Sequence, residues 1–167
     1  MDRAELRATQ RPLKDRYRLE PTAALVTLKA EASLDATEGA CSVQTGREIA
    51  RAGLHPATGG TGTLVCSGDM LLQALVACAG VTLRAVATAL GLELGGTVRA
   101  EGDLDFRGTL GVAREERPPV GFQAIRLHFD LDHSASDEEL ERLFRVTERA
   151  CVVWQTLVAG VPVELVR

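Results

Sequence analysis

The sequence predicts an α+β domain built on antiparallel sheet. Three observations predict it. Apolar and polar residues alternate over 24–34, 98–107 and 125–132, the period of half-buried strands. Two long stretches, 69–90 and 137–159, place their apolar residues at helical spacing instead. The strands are mostly neighbours in sequence and do not alternate with helices, which favours antiparallel pairing over βαβ units.

Residues 1–20 are polar and carry both charge signs. They form an arm or short helix, either docked on a partner subunit or frayed. Residues 21–167 read as a single domain, since no linker divides them. Its first strand carries Ala24, Val26, Leu28, Ala30, Ala32 and Leu34 on one face. Ala36-Thr37-Glu38-Gly39 is a turn, 40–45 a second strand, and 47–52 a third. The Gly/Thr-rich loop 55–67 lacks both phosphate-cradling glycine motifs. Ser67 or Asp69 then caps a helix that stops at Gly91. Leu71, Leu75, Cys78, Thr82, Ala85 and Ala89 share one stripe of it, but the helix is apolar nearly all round, as a central helix would be. The strand 98–107 and the strand 125–132 flank a charged loop, 108–121. Ser136 with Glu139 forms a capping box. The helix it opens shows Leu140, Phe144, Thr147, Cys151, Trp154 and Val158, and ends at Gly160. Val161, Val163 and Leu165 suggest a short last strand.

Composition narrows the function. The 167 residues are 46% hydrophobic and 25% charged, which suits a soluble globular protein. The net charge of -4, with no basic patch, argues against a nucleic-acid partner. The N-terminus has no apolar core of a secretory signal. The longest uncharged apolar run, 70–83, has 14 residues, short of the roughly 20 that span a membrane. No membrane partner and a cytoplasmic location follow, and there thiols rest reduced.

The four cysteines form no CxxC pair, which excludes zinc-ribbon and thioredoxin-type readings. His55, His128 and His133 lack ligand spacing, so no metal site is expected. Cys41 and Cys66 read as structural. Cys78 and Cys151 each sit on a helical apolar stripe, so packed helices would let them meet; buried cysteine is also a common small hydrophobe. A nucleophilic cysteine works as its thiolate, and free cysteine has a pKa of about 8.5. Cys78 lies too deep in its helix to feel that helix's N-terminal dipole. A working Cys78 therefore calls for a nearby Arg or Lys, from this chain or another subunit.

Ser67 to Cys78, SGDMLLQALVAC, resembles the cysteine helix of the OsmC/Ohr family, the osmotically inducible and organic hydroperoxide resistance proteins. Arg149-Ala150-Cys151-Val152-Val153 resembles that family's second-cysteine segment. The tail 156–163 and the segments 102–111 and 121–131 also fit. The resemblance implies antiparallel sheets packed around two long central helices, in an intertwined homodimer with active sites at the interface. It implies a thiol-dependent peroxidase in which Cys78 attacks an organic hydroperoxide and Cys151 resolves the product, reset by a dithiol reductant. No cofactor is implied. The family's Glu falls on Gly68, beside Asp69, and its activating Arg falls near Thr37-Glu38. Asp69 is the candidate orienting residue, and Arg47, Arg51 and Arg84 are candidate substitutes for the Arg. The alternative is a non-catalytic binding protein of this family, holding a small apolar ligand, with structural cysteines.

Overall fold

The computed structural model describes residues 3–34, 41–43, 52–63, 65–112 and 118–167. In order these form α1 (Arg3–Leu19), β1 (Leu25–Leu34), β2 (Cys41–Val43), β3 (Ala52–Gly53), β4 (Val65–Cys66), α2 (Ser67–Leu90), β5 (Leu94–Asp105), α3 (Phe106–Leu110), β6 (Phe122–His133), α4 (Asp137–Ala150) and α5 (Val152–Ala159). One sheet has the order β2-β1-β5-β6, and β3 pairs with β4 separately. The β1–β2 pairing is antiparallel, with Ser33 opposite Ser42. The turn 36–39, most of the third expected strand, and Arg47 and Arg51 lie outside the described residues.

The chain divides into two compact units. The first comprises 1–29, 45–72 and 100–126. Its core is Tyr17, Ala24, Phe106, Leu110 and Val112. The N-terminal segment is thus a helix anchored in its own chain: Tyr17 is 2% exposed, and its hydroxyl donates to the Ala57 carbonyl at 2.6 Å. The expected strand 98–107 stops at Asp105, because Phe106 and Arg107 open α3. Asp105 caps that helix, its carboxylate accepting the Arg107 N–H at 3.0 Å. Gly111 closes α3 in the left-handed conformation, φ 65°, which glycine adopts without steric cost. The Gly/Thr loop is not wholly irregular either, since Val65–Cys66 pairs in parallel with Ala52–Gly53. Its glycines serve close approach: a Cβ on Gly60 would collide with the Leu54 carbonyl.

The second unit comprises 30–44, 73–99 and 127–167. Leu83, Ala87, Leu94 and Leu143 form its core, with Phe129, Leu131, Leu140 and Phe144 packed against them. The buried face of α2 here is Leu75, Val76, Ala79, Leu83 and Ala87, whereas Val81 is 44% exposed. This differs from the stripe read from spacing, because an almost wholly apolar helix gives periodicity little contrast. By length and composition alone α2 could cross a bilayer; the buried face makes it a core helix.

The last predicted helix breaks in two. The capping box is present, with Glu139 Oε2 accepting the Ser136 N–H at 2.9 Å. At Cys151, however, the backbone turns extended (φ -74°, ψ 108°), ending α4 and starting α5. The Cys151 N–H still bonds the Thr147 carbonyl at 2.8 Å, and Gln155 N–H bonds the Cys151 carbonyl at 2.9 Å. The break leaves the first amides of α5 without intrahelical partners. Residues 161–167 form no strand. No neighbouring strand among the described residues meets them, and Val163 is 89% exposed.

Candidate functional site

Cys78 projects from the middle of α2 and Cys151 sits at the α4–α5 break, both in the second unit. The two thiols meet. The Cys78 sulfur accepts the backbone N–H groups of Val153 and Val152, the Thr82 hydroxyl and the Cys151 thiol. Burial pushes the Cys78 thiol up, but these donors outweigh it, and its pKa is lowered overall. Cys151 goes the other way. Burial and the neighbouring Cys78 push it up to about 11, against the Trp154 N–H. Cys151 is 1% exposed. Within the pair, Cys78 is thus the more acidic thiol and Cys151 the one that keeps its proton more firmly.

The source of this stabilisation was not legible in the sequence. The N-terminus of α2 is remote from Cys78, but the N-terminus of α5 is against it, and helix N-termini favour negative charge. Thr82 does leave a sequence signal, because i+4 spacing puts it beside Cys78 on the same face. Val152 and Val153 leave none, since any residue supplies a backbone N–H. Arg84, the described candidate cation, donates to the Leu94 carbonyl at 3.2 Å and is not among the donors to Cys78.

Asp69 lies in the first turn of α2, in the first unit, and interacts with His55 and the Cys66 backbone. Burial raises its pKa against both partners. His55 stacks on Phe106, with ring centroids 4.8 Å apart and planes at 15°. Its Nδ1 accepts the Ala57 N–H at 3.0 Å, which puts the neutral ring's proton on Nε2. Cys66 ends β4 as a free thiol. Among the described residues no group of three or more His, Cys, Asp or Glu has the geometry of a metal site.

Beside Cys151 opens a cavity of about 360 Å³. Leu127, Phe129, Phe144 and Trp154 wall it, and Thr147 and Glu148 add polar atoms. Phe129 and Phe144 pack against each other at 5.2 Å, tilted by 44°. The arrangement sets two hydrogen-bonded thiols, Cys78 the more acidic, beside an apolar cavity.

Comparison with known proteins agrees with this fold. The family model for OsmC-like protein matches residues 60–166, which include both α2 and the Cys151 segment. No curated protein matches the sequence. Among solved structures, an OsmC-like hydroperoxide resistance protein from Jannaschia sp. CCS1 superposes with a TM-score of 0.55 at 13% identity. The match covers 84% of this chain and 91% of that one.

Proposed function

The chain belongs to the OsmC-like family, and from that premise we propose that it is a thiol peroxidase that reduces organic hydroperoxides through Cys78 and Cys151. The observation that carries this reading is the convergence of four donors on the Cys78 sulfur, one of them the Cys151 thiol. The name of the structural neighbour, a hydroperoxide resistance protein, points the same way.

The Cys78 thiolate attacks the terminal oxygen of the hydroperoxide. An S–O bond forms, the O–O bond breaks, and the alkoxide takes the Cys151 proton to leave as alcohol. The Cys151 thiolate then attacks the Cys78 sulfenic acid, forming the disulfide and releasing hydroxide. An external dithiol supplies two electrons and resets the pair. The α5 amides and Thr82 supply support for charge on the Cys78 sulfur of the kind an activating arginine would give.

The chain works as a homodimer in this reading. Helix α5 is apolar yet has no buried residue. Val152, Val158 and Val163 are 71%, 70% and 89% exposed, an apolar surface that a second copy would cover. A reducing cytoplasm suits two resting thiols. The second reading, a binding protein with structural cysteines, draws on the apolar cavity.

Stopped-flow reduction of cumene hydroperoxide by wild type, Cys78→Ser and Cys151→Ser tests the proposal. Fast reaction in wild type, none in Cys78→Ser, and an accumulating sulfenic acid in Cys151→Ser are expected. Equal slow rates in all three would sink it in favour of ligand binding.

A further inference from the structure

The cavity beside Cys151 has a single charged side chain in its wall, Glu148, set among Leu127, Phe129, Phe144 and Trp154. The Thr147 hydroxyl and Cys151 are enclosed, so Glu148 is the polar side chain that a ligand meets. Glu148 is exposed, and no ion pair among the described residues reaches its carboxylate. Its backbone carbonyl accepts the Gln155 amide at 2.8 Å. Arg145, one turn earlier on the same helix, bonds Glu141 instead, also at 2.8 Å. Phe129, Phe144 and Trp154 are each partly exposed, so ring surface is open to the space that the carboxylate borders.

We propose that this cavity binds a compact organic cation, a methylated ammonium group on a small apolar body, with Glu148 as its counter-ion and the aromatic rings as its wall. The faces of aromatic rings are negative and attract a cation. The carboxylate supplies the opposite charge directly. An anionic ligand meets repulsion there, and a neutral apolar one strips water from the carboxylate with nothing in return. A primary ammonium is a compact, strongly hydrated charge, which a mostly apolar wall solvates poorly. Methyl groups remove its N–H donors and spread the charge over apolar surface. The cavity, about 360 Å³, is at the small end of ligand pockets, which favours a compact body. The net charge of -4 draws cations from a distance. The lining includes Cys151 but not Cys78, so the ligand does not need the reacting sulfur, and the inference is independent of the peroxidase reading.

Trp154 is the only tryptophan in the chain and lines the cavity, so its emission reports occupancy. The probes are choline and 3,3-dimethylbutan-1-ol, which has the same shape with carbon in place of the charged nitrogen. On the full chain a saturable emission change is expected, with choline bound about tenfold more tightly than the alcohol. Glu148→Gln keeps the size of the side chain and removes its charge. It should weaken choline about threefold and leave the alcohol unchanged. Raising the salt from about 0.05 to 0.5 M should weaken choline in wild type and have little effect in Glu148→Gln. Equal affinity of wild type for both probes, choline binding unmoved by Glu148→Gln, or no saturable response would each overturn the inference. The exposed position of Glu148 lets the variant fold, and the two probes on wild type decide without it. Hydroperoxide turnover is read separately, so either result stands whether or not the chain is a peroxidase.

Discussion

Each unit holds a pair of titratable side chains, His55 with Asp69 in the first and Cys78 with Cys151 in the second, and their surroundings differ in kind. Around His55 the described hydrogen bonds close on themselves. Its Nδ1 takes the Ala57 N–H, the Ala57 carbonyl takes the Tyr17 hydroxyl, and the Thr58 hydroxyl donates to the His55 carbonyl at 2.9 Å. Around Cys78 the donors instead converge on one atom and stabilise its charged form, while a neighbouring hydroxyl, Thr147, is left over. A network that satisfies itself holds a loop in place. One that concentrates donors on a single sulfur lowers the cost of its charged form.

The largest effect that would break this contrast is in activity. Cys78→Ser should reduce hydroperoxide consumption to the uncatalysed rate, because a serine hydroxyl at neutral pH is a far weaker nucleophile than a thiolate. His55→Gln should leave the rate within about twofold, as a change in a loop-holding residue away from the reacting sulfur should. A comparable loss from both substitutions would show that the two pairs are not functionally distinct.

Stability should reverse the ranking. Asp105 is 3% exposed, caps α3, and bonds the Arg107 guanidinium at 2.9 Å. Asp105→Ala removes the cap and the carboxylate bonded to a partly buried guanidinium, which should cost about 2–4 kcal/mol in chemical denaturation. Cys78→Ser should cost less than half of that. Burial pushes the Asp105 carboxyl up, but its Arg107 bonds outweigh this and its pKa is lowered overall. The sign follows: the folded state binds the proton less well, so this stability is present above pH ~4 and lost as pH falls through the lower folded value. The same Asp105→Ala variant should flatten the acid limb of the stability curve.

Thr82 sharpens the comparison at a smaller scale. Its hydroxyl is one of four donors to the Cys78 sulfur, so Thr82→Val should raise the midpoint of Cys78 alkylation against pH. At neutral pH the alkylation rate should fall roughly threefold to tenfold, the worth of one ordinary net hydrogen bond. Thr82→Ser should restore both. An unchanged midpoint in Thr82→Val would leave the α5 amides as the main support.

How much of this was legible follows from which atoms do the work. Cys78 and Cys151 could be found because a side chain carries their chemistry and two helical segments carry their positions. The α5 amides could not, because nothing in Ala150-Cys151-Val152 marks a break: it has neither Gly nor Pro, and the apolar spacing runs straight through it. The alternation runs two residues past the strand's end at Asp105, since Phe106 and Arg107 continue it while the Asp105 cap starts a helix. Val161, Val163 and Leu165 show the alternation of a strand, but a strand needs a neighbour, and the described chain provides none. Motif position suggests Asp69 as an orienting group for Cys78; the partners the structure gives it are His55 and the Cys66 backbone.

That reassignment yields the smallest effect. Burial lowers the His55 pKa, and the charge of Asp69 raises it back in part. A folded pKa below the unfolded value means the unfolded chain binds the proton more readily. Stability is then full above about pH 6.5 and falls as pH drops through the folded value. Asp69→Asn deletes the attraction that favours the imidazolium, so the folded pKa should fall further and the acid loss between about pH 6.5 and 5 should grow. The measurement is urea denaturation of wild type and Asp69→Asn at several pH values, alongside Cys78 alkylation on the same samples. A steeper pH dependence of stability with unchanged alkylation assigns Asp69 to the His55 loop. Slower alkylation with unchanged stability would return it to the cysteine helix as an orienting carboxylate, and the separation between the two pairs would fail there.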